Sequence, residues 1–79
     1  MSPTIFKEDG YRFFFFSREE ERMHVHIISA DGETKFWLEP DISLAKNYNH
    51  NSRQLKKIES LVKEHCDDLI SAWRQHFSR

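Results

Sequence analysis

The first half of the chain carries its hydrophobic residues in short runs and at alternate positions, which is the pattern of β-strands. Aromatic side chains fill most of Tyr11–Phe16, as expected of a strand that is covered on both sides. Hydrophobic and polar positions alternate in Met23–Ile28 and in Glu33–Glu39, and Thr4–Phe6 is a shorter β-prone run. Asp9-Gly10 and Asp31-Gly32 are turn signals between these runs, and we interpret the charged segment Ser17–Arg22 as a loop or turn. The spacing therefore predicts an antiparallel meander.

The next segment, Ile42–Tyr48, is ambiguous, and we interpret it as an edge strand. Asn49 suits a left-handed turn after that strand, because asparagine tolerates this conformation. Asn51 matches a helix N-cap, and Gln54, three residues later, completes a capping-box pattern. A helix is therefore expected to begin at Ser52.

From Ser52 to Phe77 the hydrophobic period changes to 3.6 residues, which is typical of an amphipathic helix. The apolar stripe consists of Leu55, Ile58, Val62, Cys66, Leu69 and Trp73, with Phe77 at its edge. A straight helix over this range would be nearly 40 Å long, whereas a domain of this size has a radius of gyration of roughly 12 Å. We therefore expect a kink or break near Cys66–Asp68, where two aspartates favour the start of a second helix.

These patterns predict one α+β domain over residues 1–79, β-rich in 1–50 and helical in 51–79. The expected architecture is a small three- to four-stranded antiparallel sheet. A C-terminal helical region, either one kinked helix or two helices, packs on one face of it. A chain of 79 residues buries only roughly 60–65% of the surface that it exposes when unfolded, so the core is small.

Composition excludes several classes of protein. The single cysteine, Cys66, rules out an intramolecular disulfide, and no signal peptide or membrane-spanning run is visible, so we expect a cytoplasmic protein. The net charge of −1 is not that of a strongly basic nucleic-acid tail. Phosphate-cradling glycine loops, zinc-finger cysteines and a G-x-S-x-G elbow are absent from the sequence, so no cofactor is expected.

The pair His24 and His26 is the first candidate site. A spacing of two residues on a strand places both imidazoles on one face, roughly 7 Å apart at the backbone. Such a pair suits a general acid and base, or a shared metal ion. It also suits the plainer interpretation of two partly exposed histidines on a sheet, and the pattern alone leaves all three open.

The rest of that sheet face is the second candidate. In a meander, Lys35 and Trp37 share the face with the histidines, and alternate residues of the aromatic strand join them: Arg12, Phe14 and Phe16. Cations interleaved with aromatic rings suit RNA, and the same surface suits a protein partner. So much apolar surface is expected to be covered by a homodimer mate, a cognate protein or the chain's own helix.

The basic helix face is the third candidate, and it carries Arg53, Lys56, Lys57 and Lys63. These side chains suit the binding of phosphates, or they form an ordinary solvated helix surface. Cys66 lies within the apolar stripe, where it is expected to be an inert core thiol.

The sequence resembles domain-of-unknown-function family 4160, a family of small bacterial proteins. The resemblance covers almost the whole chain and rests on Pro3–Phe6, Gly10–Phe15, His24–His26, Lys35–Leu38 and Leu55–Glu59. The signature of the family falls on Tyr11, Arg12, His24, His26, Lys35 and Trp37. The family often has Gly-Phe-Ser before its helix, where this chain has Asn49–Asn51.

Members of this family are often encoded beside a second small protein, and some such pairs are regarded as toxin–antitoxin modules. The resemblance therefore implies a cognate protein partner and a growth-inhibiting activity. If the chain is an enzyme, we expect metal-independent cleavage of RNA, with His24 and His26 as acid and base and Arg12 or Lys35 stabilising the phosphorane. A non-catalytic interaction module and a metal-binding protein that uses the histidine pair are the alternatives.

Overall fold

The computed structural model describes residues 4–15 and 22–77, and these form one antiparallel sheet followed by two helices. The strands are β1 (Thr4–Glu8), β2 (Tyr11–Phe14), β3 (His24–Ile28), β4 (Glu33–Trp37) and β5 (Ser43–Tyr48). The helices are α1 (Ser52–Glu64) and α2 (Cys66–Phe77). The predicted α+β class is confirmed.

The sheet has five strands, one or two more than expected, in the order β1-β2-β3-β4-β5. Both short outer segments pair with the meander, since β1 adds to β2 and β5 adds to β4. The turn between β1 and β2 uses Asp9 and Gly10, whose φ angles are 55° and 85°. Glycine adopts this left-handed region without steric cost, so the Asp-Gly signal marked the turn correctly.

The helical half begins and breaks where the sequence predicts. Asn51 caps α1, since its side-chain Oδ1 accepts a hydrogen bond from the Gln54 backbone N–H at 2.8 Å. In turn, the backbone N–H of Asn51 donates to the side-chain Oε1 of Gln54 at 2.8 Å. Helix α1 ends at Glu64 with His65 as its C-cap, and α2 starts at Cys66 with Asp67 and Asp68 in its first turn, where carboxylates stabilise a helix N-terminus. No helix of the described chain is long and apolar enough to cross a membrane.

The core lies between one sheet face, called here the core face, and the two helices. Residues of β2, β3 and β4 on this face pack against the apolar stripes of α1 and α2 in one cluster. Its largest fully buried members are Phe13, Phe15, Ile27, Ile58, Leu61 and Leu69. At about 1.5–3 kcal/mol for each fully buried large apolar side chain, this cluster is the main source of stability.

Candidate functional site on the second sheet face

The register of the strands brings the predicted histidines and their neighbours to one face. Phe14 pairs with His26, and His26 pairs with Lys35. His24 pairs with Trp37. Directly paired residues lie on the same side of a sheet, so we define the histidine face by Arg12, Phe14, His24, His26, Lys35 and Trp37. The candidate Phe16 lies outside the described residues.

His24 is fully buried, with 0% of its surface exposed. Its Nδ1 lies 2.8 Å from the carbonyl oxygen of Arg22, and since a carbonyl can only accept, Nδ1 donates. The rings of Trp37 and Trp73 surround it, with centroids 5.7 and 5.2 Å from that of the imidazole. In this position His24 packs against aromatic side chains and has no access to solvent.

His26 is nearly buried, with 8% of its surface exposed. Its ring stacks on Phe14 at a centroid distance of 5.5 Å and meets the edge of His24 at 5.0 Å. Its Nδ1 lies 3.8 Å from Oε2 of Glu33, so a carboxylate faces the imidazole. An imidazole and a carboxylate this close together can give a proton to, and take a proton from, one molecule that is bound beside them.

Cations cover the aromatic rings of the histidine face. The guanidinium of Arg22 lies 4.1 Å from the ring centre of Trp37, and Nζ of Lys35 lies 4.5 Å from the same centre. Arg12 lies 5.2 Å from the ring centre of Phe14. Its Nε is buried and has no hydrogen-bond partner in the described part of the chain. The face therefore combines positive charge with ring surface, as the sequence predicts.

A cleft of about 180 Å³, called here the His26 cleft, opens between β3, β4 and β5. Its lining residues are His26, Glu33, Thr34, Lys35, Lys46 and Tyr48. Lys46 lies directly opposite Lys35 in the β4–β5 pair, and Tyr48 lies opposite Glu33. Sequence reasoning missed Glu33, Lys46 and Tyr48, and Tyr48 is 62% exposed at the rim.

The remaining predicted residues lie away from this cleft. Tyr11 is on the core face, where its ring centroid lies 5.8 Å from that of His50. Arg53 and Lys56 are exposed on α1. The ammonium of Lys57 lies 3.0 Å from Oδ2 of Asp9, and this hydrogen bond raises the pKa of Lys57. The basic helix face thus forms a surface separate from the histidine face.

A buried polar network around His50 joins β5 to the β3–β4 turn. Nδ1 of His50 lies 2.6 Å from Thr34 Oγ1, and Nε2 lies 2.8 Å from Ser29 Oγ. Thr34 donates its hydroxyl proton to Asn47 Oδ1, so Thr34 accepts from Nδ1 and the imidazole Nε2 accepts from Ser29. Burial lowers the pKa of His50 against an opposing effect of Asp31, so the neutral ring that this network requires is the form present at pH 7.

Side chains of metal-ligand type come together at a different place. Among the described residues, Glu8, Glu64 and His65 offer ligand atoms within 4.8 Å of one another. Nε2 of His65 lies 2.9 Å from Oε1 of Glu8, so the two side chains already bond each other. The pair His24 and His26 belongs to no such group within the described ranges.

Comparison with known proteins identifies the family and nothing narrower. The family model described as a domain of unknown function, DUF4160, matches residues 10–74. The matched range is most of the chain and includes the histidine face, α1 and most of α2, so the chain belongs to this family. No curated protein and no solved structure matches it.

Proposed function

We propose that this member of the DUF4160 family is a toxin-like, growth-inhibiting protein that cleaves RNA at the His26 cleft without a metal ion. The observation that carries the proposal is the composition of the cleft. It gathers an imidazole, a carboxylate, two ammonium groups and a phenol within one hollow. This is the set of groups that a phosphodiester transfer uses for proton exchange and charge stabilisation.

The groups of the cleft divide into distinct roles. Glu33 acts as the general base that takes the proton of the ribose 2′-hydroxyl, and the 2′-oxygen attacks phosphorus. Protonated His26 gives its proton to the departing 5′-oxygen, so the products are a 2′,3′-cyclic phosphate and a free 5′-hydroxyl. Lys35 and Lys46 stabilise the negative charge that the phosphorane gains in the transition state.

The size of the cleft limits how RNA would bind. A hollow of about 180 Å³ holds a phosphate group with part of its sugar, so the bases must lie outside. Tyr48, which is exposed at the rim, provides a flat ring on which a base stacks. His24, which is buried beside His26, then acts as a positioning residue that holds the ring of His26 in place.

The test is cleavage of an end-labelled RNA oligonucleotide by the purified protein in EDTA. We expect cyclic-phosphate products, and no cleavage where a 2′-deoxynucleotide replaces the attacking ribose. Glu33→Gln and Lys46→Ala should each lower the rate by about a hundredfold. The matched control is Lys7→Ala, which removes an exposed lysine from β1 and should leave the rate unchanged.

Growth provides an independent readout. Expression of the chain alone should inhibit growth, and expression of the Glu33→Gln variant at the same level should not. Cleavage that persists unchanged in both cleft variants, or a chain that neither cleaves RNA nor slows growth, would contradict the proposal. Sensitivity to EDTA would instead favour metal-dependent chemistry.

A further inference from the structure

We infer that the outer edge of β5 is a docking strand for an extended acidic segment of a second protein, and that this segment closes the His26 cleft when it binds. The closure of the cleft rests on the proposed function, because it assigns an inhibitor to the same cleft. The docking of a peptide at β5 is argued from the sheet edge and does not depend on that function.

The two edges of the sheet differ in how they are protected. At β1, the ring of His65 packs on Phe6 and bonds Glu8, so the α1–α2 junction packs against the side chains of that strand. At β5, all six residues are exposed or half-exposed, and among the described strands β5 pairs with β4 alone. Leu44 and Tyr48 are 48% and 62% exposed. An edge strand of this kind presents backbone N–H and C=O groups to which an extended peptide adds as a further strand.

The charge at this edge selects the partner. Lys46 is exposed on β5 and lies opposite Lys35 on β4, so an added strand meets positive charge at its centre. A second copy paired antiparallel about Lys46 would set two lysines against each other, and like charges directly opposite are destabilising. An acidic side chain at that position forms the favourable pair, so the occupant is a different chain with alternating apolar and acidic residues.

Docking at β5 and closure of the cleft use the same two side chains. Lys46 and Tyr48 belong to β5 and also line the His26 cleft. A carboxylate bound to Lys46 takes the ammonium group that a phosphate would need. A strand beside Tyr48 also covers the ring on which a base would stack. Partner binding and RNA binding are therefore mutually exclusive.

The test uses two synthetic peptides of matched length, acetyl-TVEVEVT-amide and acetyl-TVKVKVT-amide, titrated into ¹⁵N-labelled full-length protein without RNA. We expect amide shifts concentrated in Ser43–Tyr48 and a dissociation constant about fivefold lower for the acidic peptide. Lys46→Glu should reverse that preference. Lys7→Glu, which changes an exposed lysine on the opposite edge strand, should leave it unchanged.

Several results would overturn the inference. Amide shifts confined to other elements, or equal affinity for the two peptides, would refute the assignment of β5 as a docking strand for an acidic segment. Protection of the β5 amides that rises with protein concentration in the absence of peptide would assign the edge to a second copy. RNA cleavage is measured separately: binding at β5 by a protein that cleaves no RNA refutes the proposed function alone. Cleavage that saturating acidic peptide leaves unchanged refutes the closure of the cleft.

Discussion

Removal of the Trp73 side chain tests whether α2 secures both the core and the buried histidine. Trp73 is 7% exposed and lies where the end of β2 meets the start of β3. Its ring centroid is 5.2 Å from Phe15 and 5.2 Å from His24, and 4.3 Å from Phe77. Trp73→Ala therefore removes two contacts: the ring contact with Phe15 in the core and the ring contact with the buried His24.

The expected loss follows from the buried area. A buried tryptophan removes about 200 Å² from water, and at about 25 cal/mol per Å² this is about 5 kcal/mol. Alanine recovers a small part of it, so we expect the free energy of unfolding to fall by about 3–5 kcal/mol. Because the net stability of a domain of this size is only about 3–5 kcal/mol, the alanine variant should be largely unfolded at 25 °C, and the expected result is a melt without a folded baseline.

Urea unfolding followed by circular dichroism measures this loss for the parent and three variants. Trp73→Phe keeps a ring at the site and should remain folded with a loss of about 1–2 kcal/mol. Gln75→Ala, on the exposed side of α2, should change the free energy of unfolding by less than about 0.5 kcal/mol. A loss below about 1 kcal/mol for Trp73→Ala would refute the assignment of this ring to the core.

Three further predictions concern stability. Because burial lowers the pKa of His50 from 6.5, the unfolded chain binds its proton at higher pH than the folded chain does. The free energy of unfolding should therefore fall as pH drops below 6.5, and less so in His50→Gln, as urea melts at pH 7.5 and 5.5 would show. Asn51→Ala should cost about 1 kcal/mol in the same assay through loss of the cap, and an unchanged midpoint would count against it. At Gly32 a Cβ would collide with a backbone carbonyl of β5, whereas at Gly10 the φ of 85° is the sole obstacle. Gly32→Ala should thus lower the melting temperature more than Gly10→Ala, and the opposite order would contradict the packing described.

Local signals were sufficient for the helical half of the fold. The change of period after Asn51, the capping pair with Gln54 and the aspartates after Cys66 each act within one or two helical turns, so they can be interpreted without knowledge of the tertiary structure. Strand number was underestimated for a different reason. The outer segments Thr4–Glu8 and Ser43–Tyr48 are short or weakly patterned, since the β5 side chains are exposed or half-exposed. Whether these segments join the sheet depends on tertiary pairing with β2 and β4.

Only the part of the site that lies on the β3–β4 hairpin could be predicted from the sequence. The Asp-Gly turn before Glu33 sets the β3–β4 register, which is why His26 and Lys35 were expected together and are paired. The same register put Glu33 on that face, two residues before Lys35, and this signal was overlooked. Lys46 joins through a β4–β5 pairing that contains a register shift, and the burial of His24 comes from a helix far along the chain. Neither can be derived from periodicity.

Glu33 and Lys46 separate the two proposals from each other and from simple loss of structure. Lys46 serves both RNA and the acidic segment, so Lys46→Ala should weaken cleavage and peptide binding together. Glu33 would serve cleavage alone, and its negative charge beside β5 repels an acidic strand. Glu33→Gln should therefore slow cleavage by about a hundredfold while acidic-peptide binding stays equal or becomes tighter. A general unfolding of the cleft would weaken both, so parallel losses in Glu33→Gln would mean that this carboxylate supports the structure and takes no part in the reaction.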